Sequence, residues 1–334
     1  MATQKEVAEK AGVSFITVSR FLNDSGYVKK ETREKIQKAI EDLNYHPDVI
    51  GQALQKGKVS LIGLVVPPPA CLPCYGTDFY HLFLQGVNQA GVKHGYDILY
   101  STYDDGSSTD YLQLCLQRKT AGIVLFIPDF DLIDIDEIVK HRIPCVIYGE
   151  RPPNRKVSFV DADDKDAFFR MTEYLISRNV RSFAFIKGPE RMFCSNDRYA
   201  GFARALEKNR IPVSEARLFQ GEMTVAFGAA SMERMLADRD VPEAVLCAND
   251  LVALGVMKVA KRAGLRIPDE LSICGYDDIS AIEISDPLLT SIRPPVVQMG
   301  VASVELLLDL IKNPESGPKE LIFPAELKLR DSTR

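Results

Sequence analysis

Tryptophan is absent from the 334 residues, and histidine occurs only four times, at 46, 81, 94 and 141. Without Trp, any flat apolar surface for stacking has to come from Phe or Tyr. The four His are scattered without ligand spacing, so no metal is expected. No apolar run reaches the roughly 18 residues that a membrane span requires. The first twenty residues are polar and charged, which excludes a secretory signal and points to the cytoplasm. The chain contains no G-x-G-x-x-G, P-loop, HExxH or GxSxG. Those absences argue against dinucleotide, nucleoside-triphosphate, zinc-peptidase and serine-hydrolase chemistry, so neither an enzyme nor a cofactor is expected. Seven cysteines, an odd number, form no disulfide framework. Cys145, Cys247 and Cys274 lie in apolar, strand-like runs and read as buried free thiols of a reducing compartment. Cys71 and Cys74 form a CxxC inside PPPACLPCYG. A lone pair cannot close a zinc site, and a structural or incidental role fits better than a redox one.

The length leaves room for two or three domains. The net charge of −5 conceals an asymmetry. Residues 1–58 carry ten Lys/Arg against eight Asp/Glu, a charge of +2, which leaves −7 to the remainder. A mildly basic head on an acidic body is compatible with a small DNA-binding module. Residues 3–43 read as three short helices. Thr3 caps the first, with Glu6 at the capping-box position. Gly12 ends it, and Ser14 caps a second helix that runs to Leu22. KETREKIQKAIEDL carries Ile36, Ala39, Ile40 and Leu43 at helical spacing. After residue 59 the pattern changes. VSLIGLVV, YDILYS, AGIVLFI, IPCVIY, SFAFIKG, ARLFQG, EAVLCAN and LSICGY are short continuous apolar runs. Helical stretches at 79–94, 108–119, 131–141, 164–178, 196–210, 224–237 and 249–263 separate most of them. Alternation of that kind predicts parallel sheets covered on both faces, and the number of units predicts two doubly wound lobes. No short-period repeat is present.

The head has the requirements of a helix-turn-helix: small residues Ala8 and Gly12 at the contact, a Gly in the turn, and a second helix packed steeply across the first. Phe15 and Ile16 open that second helix off the face that Val18, Phe21 and Leu22 bury. Exposed there, they suit thymine methyl groups in a major groove. Thr17, Ser19 and the helix N-terminus at Ser14 suit phosphate, and Arg20 can fork to guanine O6 and N7. The alternative is a three-helix packing module whose Phe15 and Ile16 cover a neighbouring domain.

AEKAGVSFITVSRFLN resembles the head of the lac repressor (LacI/GalR) family of bacterial transcription regulators, and the resemblance runs from TQKEVA to the terminal LKLRDSTR. It implies that Phe15, Ile16 and Arg20 discriminate the operator. Thr3, Ser14, Thr17, Ser19, Asn23 and Tyr45 complete the implied DNA-contact set. NYHPDVIGQALQKGK resembles the family's hinge, with Pro47 at the first turn of a short helix. Leu54 matches the leucine that each protomer wedges into the minor groove to kink the operator. Asp48, Gly51 and Gln52 depart from the common Asn, Ala and Arg. Gly51 lowers helicity by about 1 kcal/mol, which suits a segment that folds on DNA. A plain flexible linker is the alternative. Asn179-Val180 replace the family's usual Gly-His at a surface turn. The implied architecture is an all-α helix-turn-helix head (1–46), a hinge helix and linker (47–58) and an α/β core of periplasmic-binding-protein type (59–334). That core has an N-lobe of about 59–160 plus a return segment near 290–320, and a C-lobe of about 161–290 plus the C-terminal segment.

Polar residues that follow buried strands are the candidates for a cleft between such lobes. Asp161 follows SFV, Arg198 lies in SNDRYAGF at a helix start, Asn249 and Asp250 follow VLCA, and Asp277 and Asp278 follow ICGY. Each alone is more often a helix cap or loop residue, since Asp and Asn favour caps. Phe79 can stack on a sugar face or serve as a core contact at its helix start. Tyr80 and Phe227 are other possible rings, and Met223 another apolar wall. The resemblance assigns the effector site to Arg198, Asp277, Asp161 and Asn249. It implies a homodimeric, sequence-specific regulator, a repressor, controlled by a small ligand of sugar type. RDSTR adds no heptad extension, which favours a dimer over a tetramer. A solute-binding protein or a sugar-active enzyme on the same two-lobed fold is the alternative.

Overall fold

The computed structural model describes residues 3–22, 27–43, 59–68, 77–103, 110–214 and 217–334. The expected contacts at Asn23, Tyr45 and Leu54, the whole hinge, and the Cys71/Cys74 pair lie outside these residues. The chain divides into two compact units, Met1–Val59 and Ser60–Arg334.

The first unit holds α1 (Gln4–Ala11), α2 (Phe15–Leu22) and α3 (Lys30–Asp42). Thr3 and Glu6 form the reciprocal capping box expected from the sequence. Gly12 stands at φ +66°, a left-handed turn that a side chain would strain. Val7, Ala8, Ala11, Val18, Val28, Ile36 and Ala39 make one small core.

The second unit contains two parallel sheets. Strands β1 (Leu61–Val66), β2 (Asp97–Thr102), β3 (Ile123–Phe126), β4 (Cys145–Tyr148) and β5 (Ser158–Ala162) join β11 (Glu320–Phe323) in the order β11-β5-β4-β3-β1-β2. Strands β6 (Phe183–Lys187), β7 (Leu218–Gln220), β8 (Ala244–Cys247) and β9 (Ser272–Cys274) form the second sheet, in the order β7-β6-β8-β9. Strands β10 (Ser291–Arg293) and β12 (Glu326–Lys328) pair antiparallel. Most central strands are buried on both faces, which is why they read as unbroken apolar runs.

Helices α4 (Asp78–His94), α5 (Asp110–Leu116), α6 (Ile135–Lys140) and α11 (Val296–Lys312) belong with the first sheet. Helices α7 (Asp164–Ser177), α8 (Phe193–Lys208), α9 (Val225–Ala237) and α10 (Asp250–Arg262) belong with the second. The chain passes between the lobes three times: at Asp163, at Pro294-Pro295 and at Pro324. Cys145, Cys247 and Cys274 are buried free thiols, as expected, and burial pushes each one up from the ordinary thiol range.

The sequence reading passed over α11, β10, β11, β12 and a 3-10 turn at Ser280–Ile284, and took β5 only as the run SFV before Asp161. It also started the Arg198 helix three residues late. That helix begins at Phe193, which puts Arg198 in its second turn.

Candidate functional site

The head places its polar and apolar candidates on α2 and its lead-in. Phe15 is 42% and Ile16 62% exposed, while Val18, two residues on, is fully buried. The α2 tip is therefore bare of protein within its own unit. Arg20 is exposed one turn beyond Ile16, and Ser19 is half-buried. Ser14 Oγ accepts the Thr17 N–H at 3.2 Å and lies 2.8 Å from Thr17 Oγ1. Ser14 is thus the expected cap, and the Thr17 hydroxyl is engaged with it. Thr3 Oγ1 accepts the Glu6 N–H at 3.3 Å, and the Thr3 N–H holds the Glu6 carboxyl below the usual carboxylate range.

In the second unit the carboxyl ends of both sheets face one cleft, which encloses about 110 Å³. Pro67 follows β1, Asp129 follows β3, Glu150 follows β4, and Asp161 closes β5. From the other lobe come Pro189 after β6, Glu222 after β7, Asn249 after β8, and Asp277 after β9. Parallel sheets present ligands with strand ends and helix N-termini in this way.

Arg198 is buried and tightly placed. Its Nε donates to Asp164 Oδ2 at 3.0 Å, its Nη1 donates to the Ala248 carbonyl at 2.8 Å, and its plane lies 3.7 Å from the Tyr276 ring centre. A buried charge of this kind is tolerable only when paired, and the pairing fixes the guanidinium plane. Asp277 has φ +100°, and burial raises it to about 7 against the pull of Arg198. Asn249 caps α10: its Oδ1 accepts the Val252 N–H at 3.0 Å, and its Nδ2 reaches the Met223 carbonyl at 3.4 Å. Asp161 Oδ1 accepts the Ala162 N–H, and Arg151 Nε donates to its Oδ2 at 2.9 Å. Burial raises its pKa, with the Asp164 carboxylate adding to the rise.

Phe79 and Met223 line the cleft. Phe227 and Tyr80 do not. The Phe227 ring covers Gly221 and packs on the second-lobe core, while Tyr80 sits edge-on to Phe126 inside the first. Asp250 and Asp278 serve the fold. Asp250 accepts from the Ile279 N–H and the Ser291 hydroxyl, and Asp278 pairs with Arg293 and Arg330.

The sequence reading missed Glu150, Arg151, Asp164 and Tyr276. Glu150 Oε2 accepts the Phe193 N–H at 2.9 Å, so it binds the N-terminus of α8 across the cleft. Burial lifts it to about 8 in spite of that bond. Arg151 reaches the same helix, with Nη2 3.0 Å from Asp197 and its guanidinium 4.9 Å from the Phe193 ring centre. Glu150 and Arg151 follow the run IPCVIY, so the strand-end rule that found Asp277 would have found them too. Among the described residues no three His, Cys, Asp or Glu side chains are grouped to hold a metal, and no helix is long and apolar enough to cross a membrane.

A helix-turn-helix head joined to a two-lobed core that opens its strand ends onto one cleft defines a class: DNA-binding regulators with a periplasmic-binding-type ligand domain. The family model for bacterial regulatory proteins of the lacI family matches residues 3–48, and that for the periplasmic binding protein-like domain matches residues 172–333. The probable HTH-type transcriptional repressor ExuR of Bacillus subtilis (strain 168) is 33% identical over the whole of this chain and 99% of its own length. The solved lac repressor dimer bound to operator and the anti-inducer ONPF is 26% identical, with a TM-score of 0.88 and 99% of each chain covered. The CelR–cellobiose complex is 29% identical, with a TM-score of 0.76, 99% of this chain and all of that one covered. This chain belongs to the lacI family of bacterial regulatory proteins and is a helix-turn-helix transcriptional regulator with a ligand-binding core.

Proposed function

We propose that the protein is a homodimeric cytoplasmic repressor that reads a near-palindromic operator and changes its grip when a carbohydrate occupies the core cleft. The observation that carries the DNA reading is the bare Phe15–Ile16 tip on an otherwise buried-side-in helix. Phe15, Ile16 and Arg20 meet base edges. Ser14, Ser19 and the α2 N-terminus meet phosphate, as do Thr3, Thr17, Asn23 and Tyr45. Leu54, beyond the described residues, supplies the minor-groove wedge.

The effector reading is supported by the cleft's mixture of groups. Phe79 and Met223 offer apolar walls, and Asp161, Asn249, Arg198 and Asp277 offer forked polar groups suited to vicinal hydroxyls. Solved relatives include one bound to cellobiose and one bound as a dimer to operator. A ligand acts only through its differential affinity for two states of the core, typically about 1–3 kcal/mol of coupling.

A thermal-shift screen of the full chain against a sugar library should find a stabilising member. At 100 times its Kd a ligand adds about 2.7 kcal/mol. That sugar should then change operator affinity in a gel shift. Arg198→Ala should keep operator binding and lose the response, with some loss of Tm because Asp164 is left buried without its cation. A folded Arg198→Ala protein that answers the sugar like the wild type would remove Arg198 from the site.

A further inference from the structure

Arg151 does not line the cleft, but it ties a residue that does to the opposite lobe. In its own lobe, Nε donates to Asp161 Oδ2 at 2.9 Å, and the guanidinium lies 5.9 Å from the Phe159 ring centre. In the other lobe, Nη2 lies 3.0 Å from Asp197 Oδ2, and the guanidinium lies 4.9 Å from the Phe193 ring centre. The side chains of Arg151, Asp161 and Asp197 are 15%, 6% and 16% exposed, so salt and water screen these pairs little. Pro152 follows Arg151 and restricts its backbone to extended conformations, so the guanidinium is offered from a chain of little freedom. A planar, permanently charged guanidinium is the group suited to hold two carboxylates at once.

Asp197 feels a second cation, Lys165 on α7 of its own lobe, but the pull of Arg151 is the stronger. Its main partner is therefore available only while the lobes are together. Asp197 immediately precedes Arg198 on α8, and Glu150, immediately before Arg151, accepts the Phe193 N–H at the start of the same helix. Two adjacent residues of the first lobe thus grip the start of the helix that carries Arg198. The two anchors of Arg151 rest on different sheets, Asp161 on β5 and Asp197 on a helix of the second lobe, so parting the lobes breaks the bridge.

We infer that Arg151 is a positioning residue for regulation: joined to Asp161 in the cleft wall and to Asp197 on the opposite lobe, it clasps the core in its closed arrangement, and making or breaking that clasp changes the protein's grip on its operator. A ligand that reaches both lobes favours the same arrangement, so the clasp sets how much ligand the response needs. The inference rests on the reading of the protein as a ligand-controlled repressor and adds to it the side chain that poises the core.

The Phe193 N–H reports lobe contact directly, since its acceptor is Glu150 of the other lobe. In the ligand-free, full-length protein its hydrogen exchange, read by mass spectrometry with fragmentation, should be severalfold faster in Asp197→Asn than in the wild type, while the amides of β6 and β8 keep their rates. Arg151→Gln leaves the charge of α8 untouched and should speed Phe193 alike, and the two changes together should add little to either alone. On an operator enriched from random-sequence DNA, both variants should shift the gel-shift Kd about fivefold or more, opposite in direction to the effect of any ligand among glucose, galactose and cellobiose that binds the wild type. That ligand should bind both variants severalfold more weakly. An unchanged Phe193 rate, a uniform rise that includes β6 and β8, an unchanged operator Kd, or a ligand that binds the variants as tightly as the wild type overturns the inference. If Phe193 exchange and operator affinity shift as expected but none of the three sugars binds, the clasp is upheld on its own and the loss falls on the carbohydrate reading.

Discussion

Glu150 carries more of the site's physics than its place in the sequence foretold. Its carboxyl is buried and lifted from the ordinary 4.5 to about 8. At pH values below about 4.5 the group is protonated in folded and unfolded chains alike. Between that value and about 8 the unfolded chain has released the proton and the folded one keeps it, so the folded state binds more protons and stability falls as pH rises. Asp277, lifted to about 7, acts in the same sense. The Tm of the protein should therefore drop by several degrees from pH 5 to pH 8, and Glu150→Gln should flatten the slope and gain most at the upper end. A Tm that climbs across that range, or a Gln variant with an unchanged slope, would contradict the assignment. At this scale the sequence was legible at Asp161, Asn249 and Asp277, polar residues after apolar runs that all line the cleft, although the same reading took in Asp278, which serves the fold, and passed over Glu150 after IPCVIY. It was less legible for rings. Phe79 reaches the cleft, whereas Phe227 spends its face on Gly221, and ring identity does not say which side of a helix looks inward.

The elements that were easy to read share one property, a single unmixed pattern. The three head helices have it as an apolar stripe at helical spacing, and the buried strands as unbroken apolar runs. The helix α11 does not: VVQMGVASVELLLDLIK buries Leu306, Leu307 and Leu308 in succession, so its helical stripe is blurred. Strand β11 is half-exposed with alternating burial, so it did not stand out. Helix α11 returns to the first lobe and packs on α4 through Gly86. A Cβ at Gly86 would lie 2.2 Å from the Val297 carbonyl oxygen, with backbone rather than a yielding side chain in the way. Gly86→Ala should force the two helices apart and cost about 1–3 kcal/mol, measured by urea unfolding. A stability within about 0.5 kcal/mol of wild type, the range of harmless surface changes, would show that α4 and α11 are not in this close contact.

For the molecule as a whole, ligand control requires that the two core lobes move while the strand ends keep their grip. The three crossovers are short, and two of them contain proline, at Pro294-Pro295 and Pro324, so backbone freedom there is small. The lobes also touch directly through Glu150 to Phe193, Arg151 to Asp197 and Asp78 to the Ser280 N–H. Those contacts are few and polar, the kind that a ligand between the lobes can reinforce or replace. All of this matters to a gene only if the head reads a duplex. The most direct measurement is selection from random-sequence DNA by gel shift, with the full-length protein beside Phe15→Ala/Ile16→Ala. The wild type should enrich a symmetric pair of half-sites, and the double variant should retain weak, salt-sensitive binding without enriching them. No symmetric site from the wild type, or the same site enriched by the double variant, would contradict the claim that the exposed tip of α2 is the operator-reading surface.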